Sequence, residues 1–557
     1  MGRLGILVTW NELTGAKPTK ELLHTQLSPF SLQQVLLGLS RFSAQLNTWQ
    51  DRHNARADIE ATRQMLPSYY RSIERLVAAN PDRVIFSRIS ILYVAKQALL
   101  VCGTDGIDVT TANHVEQIMK CCLMANDFLL AGRQPSPDDT TIEKAASLLP
   151  FSTYLPHADD PLEIARNLIL VQDVSPRLQA RSDYLDLRKQ FLDVSGMTAQ
   201  AYCEIVYCAA TKFLTHLPEQ NTPSGLILTS DYFRHTKVAD VAARFLGEYS
   251  IGLLDLQQRV RNDSSKDGDF LLLQQYPLIE FAPDQRLCVD PGFLLDKAGR
   301  SFYWTLHAKT SPARQLHLLG YWATVVETYV GELAKHTYKG SGRIVRNPKF
   351  PNNDEACDLM VLEGTRLVLI EVKASTLTAK AKYSFDPELL SDELLRKAIE
   401  GTEGRRKGVK QVHETIRRFL NKEPINGVTA DQVTVVYPLI VFLDKSFVSP
   451  YLTNLYVEHF DRKHFPRHPI ITAPYAITIS DLESVLPHTH RHDLADIIDD
   501  YYRHNRTRKG AIAFGSFRYG NIPLLKNEDP GKDPIDERFQ RFCEEMITNT
   551  FPQPSSP

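Results

Sequence analysis

Apolar residues recur at helical spacing through most of the first half of the chain. Runs over 32–49, 57–79, 84–101, 115–130, 162–171, 199–214 and 238–246 place a hydrophobic side chain every three or four positions, which predicts helices with one buried face. Ser31 and Thr198 stand where N-caps are needed. Pro135-Ser-Pro137 and the stretch 218–223 interrupt the pattern, as breakers between helices do. No internal repeat is evident. Residues 1–260 therefore read as a helical bundle or array.

The pattern changes at 261. A polar run over 261–268 reads as a linker, and short apolar runs at 270–274, 278–281 and 286–289 predict a β-rich connector across 261–314. Helical periodicity returns over 315–338 through Leu316, Leu319, Val326, Tyr329, Val330 and Leu333. Three strands are then expected at 343–349, 356–362 and 366–373, the last two joined by the tight turn Glu363-Gly-Thr365. Helices follow at about 387–400 and 405–420, and the long apolar run 433–443 has the character of a strand covered on both faces. These elements define a unit over 315–450. Residues 451–557 read as a small mixed segment, with a strand at 475–479, a helix at 481–486 and a Pro/Ser-rich tail at 552–557 expected to be disordered. The expected class is a multidomain α and α/β protein.

Composition narrows the options little. A chain of 557 residues predicts about three domains. Lys plus Arg total 64 and Asp plus Glu 66, so any polyanion site must come from local clustering of charge. None of the eight cysteines forms a C-x-x-C pair, which predicts reduced, buried thiols and a cytoplasmic protein. The N-terminus lacks a long apolar stretch, and the most apolar helix, 89–102, is short and contains Lys96, so no membrane association is expected.

The residues that change the picture lie at 358–373. Asp358 sits in the apolar run Cys357-Asp-Leu-Met-Val-Leu362, where a carboxylate costs free energy unless it is paired or binds a metal. Glu371 and Lys373 end the next run and, being two apart on a strand, share one face. A hairpin would bring Asp358 to that face. Two carboxylates suit Mg²⁺, a hard ion that takes oxygen ligands and keeps several waters. Such a metal activates a water and neutralises charge on a phosphate, while Lys373 orients the nucleophile or meets charge on the phosphoryl group. The Val372 carbonyl is a further candidate ligand.

The set Asp358 … Glu371-Val-Lys373, followed by its flanking helices, resembles the PD-(D/E)xK, or restriction-endonuclease-like, nuclease superfamily over about a quarter of the chain. Cys357 departs from the motif's proline. The resemblance implies an αβββαβ core with a mixed sheet, DNA as substrate, and Mg²⁺ as cofactor with Mn²⁺ as substitute. It further implies a metal-site Glu on the helix before the sheet, which Glu327 matches, and a Gln on the helix after the motif, which Gln411 matches. The catalytic set so implied is Asp358, Glu371, Lys373, Glu327 and Gln411, with Asp358, Glu371, Val372 and Glu327 as metal ligands. Architecture by analogy suggests an antiphage defence effector, with residues 1–260 sensing a trigger or binding a protein activator. Homo-oligomerisation would suit cleavage of two strands.

Basic residues beside this core would contact DNA phosphates: Arg343, Arg346 and Lys349 on the first strand, and Arg405, Arg406, Lys407 and Lys410 at the start of the helix bearing Gln411. The run 503–509 is a weaker basic candidate. His488, His490 and His492 read as a solvated turn, not a metal site. No phosphate-binding loop of the Gly-x-x-x-x-Gly-Lys type is present. Two other functions stay open at this level: a catalytically silent scaffold that binds DNA or a partner, and a restriction or repair subunit that needs a separate motor or specificity protein.

Overall fold

The computed structural model describes residues 6–50, 55–80, 83–130, 139–153, 160–214, 226–263, 268–402, 405–406, 408–448, 450–460, 465, 469–505, 522–525 and 534–550. The breakers at 135–137 and 218–223, Lys407, residues 506–509 of the basic run and the 552–557 tail fall outside these. The chain is a mixed α/β protein with a helical N-terminal region and mixed sheets.

The helical half contains α1 (Leu32–Gln50), α2 (Arg88–Val101), α3 (Ala112–Leu130), α4 (Thr141–Thr153), α5 (Asp160–Leu168), α6 (Ala199–Leu214) and α7 (Ala239–Tyr249). Most follow the apolar periodicity closely. The expected helix over 57–79 is two helices, Ala55–Met65 and Tyr70–Ala79, with Pro67 between them; proline lacks the N–H that would continue the ladder. Val84 belongs to a short strand, and α2 starts after Ser87, whose hydroxyl accepts from the Ser90 N–H at 3.1 Å.

A three-stranded sheet follows from β1 (Ser250–Gly252), β2 (Leu278–Ala282) and β3 (Gln285–Leu287), then α8 (Pro291–Ala298) and α9 (Phe302–Lys309). The connector is therefore less β-rich than its sequence suggests. The apolar run at 270–274, expected as a strand, is the helix Leu271–Gln275. Short apolar runs do not separate the two states. Here the Asp269 carboxylate, accepting from the Leu271 N–H at 2.8 Å, favours the helical turn.

The main sheet is preceded by the long α10 (Pro312–Thr337). It comprises β4 (Arg343–Arg346), β5 (Leu359–Glu363) and β6 (Arg366–Lys373), then, after α11 (Pro387–Leu394) and α12 (Gly408–Leu420), β7 (Val435–Phe442), β8 (Ile470–Ile471) and β9 (Tyr475–Thr478). β4, β5 and β6 are antiparallel. β7 runs parallel to β6, and β8 and β9 both pair parallel with the outer side of β7. The helix, three strands, helix, strand order expected from the sequence is present. α13 (Ile479–Val485), α14 (Leu494–Asn505) and α15 (Pro534–Thr550) complete the chain.

β6 and β7 are apolar along almost their whole length because both faces are covered. Val368, Ile370, Leu439 and Val441 enter one core with residues of α5, α6, α10 and α13 to α15. Leu367, Leu369, Val436 and Ile440 enter a second with α4, α11 and α12. A third core joins α1, α2 and α3 to β2, β3 and Phe293 of α8. Packing thus crosses the boundary read at 260. Helices α5 and α6 lie in the same core as the sheet, and so does Phe542 of α15. Buried ion pairs mark the joints: the Arg88 guanidinium bonds the Asp290 carboxylate, and Arg166 of α5 forks onto Glu483 of α13 at 2.7 and 2.5 Å.

No described helix is long and apolar enough to cross a membrane. The eight cysteines are free thiols, seven of them buried.

Candidate active site

Strand parity selects the residues that meet. In β6 the odd positions Leu367 and Leu369 point into the core under α11 and α12, so Glu371 and Lys373 follow them. Met360 of β5 enters the same core, but Asp358 precedes that strand, and with Cys357 also in this core the alternation does not reach it; its place is set by a hydrogen bond instead. Beyond the Leu359–Ile370 pair the two strands part. The Val372 N–H donates to Asp358 Oδ2 at 2.6 Å instead of to a strand carbonyl. In an extended strand a residue's carbonyl projects to the same side as its N–H, so the Val372 carbonyl faces Asp358 as well.

Lys373 closes the group. Its ammonium bonds a Glu371 carboxylate oxygen and donates to Gln411 Oε1 at 3.4 Å. Gln411 is held by its helix: one turn later Thr415 donates to the Ala356 carbonyl at 2.5 Å, pinning α12 to the approach of β5. The bend into α12 needs glycine. Gly408 has φ +54°, and a Cβ there would stand 1.7 Å from the Ala398 carbonyl oxygen.

The charges are strongly coupled. Glu371 is 1% exposed, and its Oε2 has no hydrogen-bond partner. Burial, reinforced by Asp358, pushes its pKa up to about 8. Burial and Asp358 likewise push Glu327 up to about 8, against the pull of Lys373. Asp358 is raised by burial, opposed by Lys373 and the Val372 N–H. For Lys373, burial works against the charge, but Glu371, Asp358 and Glu327 outweigh it and raise the pKa. The site is a buried carboxylate group with too little positive charge of its own.

Of the residues expected from the sequence, Asp358, Glu371, Val372, Lys373 and Gln411 come together by contact. Glu327 arrives on α10, which packs on the opposite face of the sheet, and acts on Asp358 and Lys373 through Coulombic interaction. Glu355, which sequence reasoning missed, joins the same field: loss of solvent and Asp358 raise its pKa, while Lys349 and Lys373 lower it. Its only sequence signal is the acidic turn Asn352-Asn-Asp-Glu355 just before the Asp358 strand.

The basic candidates are less uniform. Arg343 donates to the Asn426 carbonyl at 3.0 Å, and Lys410 pairs with Glu400 at 2.9 Å, so both are engaged locally. Lys349 donates to Asn353 at 2.9 Å and lies beside Glu355. Arg405 and Arg406 form a short strand against Gly401–Thr402, not the first turn of a helix; α12 starts at Gly408. His488 is fully buried on a 3₁₀ turn, contrary to the solvated turn expected. His488 and His490 sit on this turn and His492 beyond it, so the three do not share the face that an extended chain would give them.

Among the described residues, no three His, Cys, Asp or Glu side chains already surround one point as a metal cluster. The donors still fit Mg²⁺, which binds through one or two carboxylates and retains waters. They are all hard oxygens, and the partnerless Glu371 Oε2 is a buried acceptor of the kind a cation satisfies. Compared with known proteins, the chain matches no family model, no curated protein and no solved structure.

Proposed function

We propose that this chain is a Mg²⁺-dependent endonuclease of the PD-(D/E)xK kind, hydrolysing DNA phosphodiester bonds. The observation that carries the reading is the buried Glu371, with one oxygen on Lys373 and the other without a partner, beside Asp358 at the point where β5 and β6 part. The helix, three strands, helix and strand around it are what the resemblance leads one to expect.

Asp358, Glu371 and the Val372 carbonyl would hold the cation, with Glu327 beside them. Mg²⁺, or Mn²⁺ in its place, would supply Lewis acidity and a bound water of lowered pKa. Lys373 would orient the attacking water or meet negative charge on the phosphoryl oxygens, and Gln411 steadies the ammonium. The apolar floor beneath β6 keeps the local dielectric low, so these charges act strongly.

The helical half controls this site in the proposal, as in an antiphage defence effector of the cytoplasm. Its support is packing: α5 and α6 share a core with α10, the helix that bears Glu327. The test is cleavage of plasmid DNA with Mg²⁺ or EDTA by wild type and Lys373→Ala. Metal-dependent nicking or linearisation that disappears in the variant supports the enzyme. Cleavage that survives Lys373→Ala or EDTA refutes it.

A further inference from the structure

The helical half also brings a basic side chain to the rim of this site. After the π-helical turn Ile169–Val174, residues 175–186 run along α10. The Tyr321 hydroxyl donates to the Ser175 carbonyl at 3.2 Å, His317 Nε2 lies 3.0 Å from the Asp183 carbonyl, and Arg177 pairs with Glu332 at 2.9 Å. His317, Tyr321 and Glu332 form one stripe of α10, and Glu327 faces roughly 80–140° away around the helix. Arg181, on this segment, is about half exposed. It forks onto Asp183 at 2.8 and 3.1 Å and stands within Coulombic reach of Glu327.

Two further cations flank the carboxylates from the sheet. Arg346 of β4 lies over Gly331, where a Cβ would come within 2.5 Å of its Nε. Gly331 is one helical turn beyond Glu327, on the same face of α10. Lys349 stands by Glu355. Glu327 therefore has Arg181 and, one helical turn away at Gly331, Arg346 for cationic neighbours, and Glu355 has Lys349.

We propose that Arg181 is a substrate-binding residue, gripping a DNA backbone phosphate next to the scissile one while Arg346 and Lys349 take other phosphates of the same backbone. This rests on the DNA-hydrolysis reading above. Clustered carboxylates repel a polyanion, so a phosphodiester reaches them only if cations at the margin hold its neighbours. A guanidinium suits this because it offers a phosphate the same two-pronged contact it offers a carboxylate. Its present partner, Asp183, is an exposed side chain, and exposed ion pairs are weak and readily exchanged. The α10 contacts place the fork and leave the Arg181 head accessible. On this view the helical half contributes to substrate binding as well as regulating the site.

The test is fluorescence anisotropy of full-length protein with a fluorescein-labelled DNA duplex, and with the matching single strand, in EDTA across a salt series. Arg181→Ala should weaken binding roughly tenfold and make the log affinity against log salt slope shallower by about one. Arg181→Lys should recover part of the loss. Arg188→Ala, an exposed arginine paired with Asp186 farther along the chain, should leave both unchanged. In Mg²⁺, Arg181→Ala should raise KM and leave kcat near wild type. A folded Arg181→Ala with wild-type affinity and slope overturns the assignment and leaves the nuclease reading standing. Wild type that binds neither DNA form at low salt overturns both.

Discussion

Asp358 and Val372 are joined by a hydrogen bond that an unbroken sheet would not contain: the strand N–H of Val372 donates to the Asp358 carboxylate at 2.6 Å, where β5 has turned away from β6. The carboxylate thus completes the ladder and stands in the site at once. Asp358→Asn keeps an acceptor oxygen and should preserve the fold, but it removes a charged metal ligand. Loss of several kcal/mol of transition-state stabilisation corresponds to roughly a thousandfold in kcat. Steady-state cleavage at saturating Mg²⁺ beside a thermal melt checks this. Unchanged kcat in a folded variant would remove Asp358 from the site.

The raised carboxyls make the metal-free protein sensitive to pH. Burial and Asp358 raise Glu371 and Glu327 from an ordinary 4.5 to about 8 in the folded chain. Folding therefore takes up protons between these values. The contribution is complete below about 4.5 and lost as pH rises through about 8, so stability should fall across that window. Glu371→Gln should flatten the decline, and Mg²⁺ should reverse it at the alkaline end. Melting temperatures in EDTA and in Mg²⁺ from pH 5 to 9 decide it; a wild-type curve that rises across the window contradicts the coupling.

Thr415 ties α12 to the approach of β5 through the Ala356 carbonyl. Thr415→Val keeps the shape and strands that buried carbonyl, at a cost of about 1–3 kcal/mol. Because Gln411 lies one turn away on the same helix, activity should fall further than stability alone explains. Urea unfolding gives the first quantity and kcat the second. A variant of wild-type stability would show that the carbonyl finds another donor.

Arg166, Glu483 and Tyr329 form a buried network: Arg166 forks onto Glu483, and the Tyr329 hydroxyl donates to the same carboxylate at 2.6 Å. It links α5, α10 and α13. Arg166→Ala leaves a buried carboxylate without its counter-charge and should cost roughly 3–5 kcal/mol. Arg166→Met with Glu483→Gln removes both charges and should recover much of that loss. Chemical denaturation of the two variants checks the ranking, and an Arg166→Ala variant as stable as the double would refute it.

Periodicity and chemistry were legible wherever local physics decides structure. The apolar density of Arg366–Lys373 and the tight turn before it specify a covered strand and a hairpin, and the lone Asp358 in an apolar run marks a carboxylate with a task. Runs too short to show a period were not legible, as at Leu271–Gln275, where the Asp269 carboxylate on the Leu271 N–H favours the helical turn. Nor could spacing reveal which sequence-distant segments share a core. Burial is non-directional, so apolar faces of α5, α6 and α15 join whichever surface the topology presents, and that surface was the sheet. Glu355 and Arg181 reach the carboxylates only through the β4–β5 excursion and the segment along α10. The sequence by itself determined the strands, the helix before them and the Asp358, Glu371 and Lys373 set. Tertiary structure decided which charges surround that set, because Coulombic neighbours are chosen by distance in space and not along the chain.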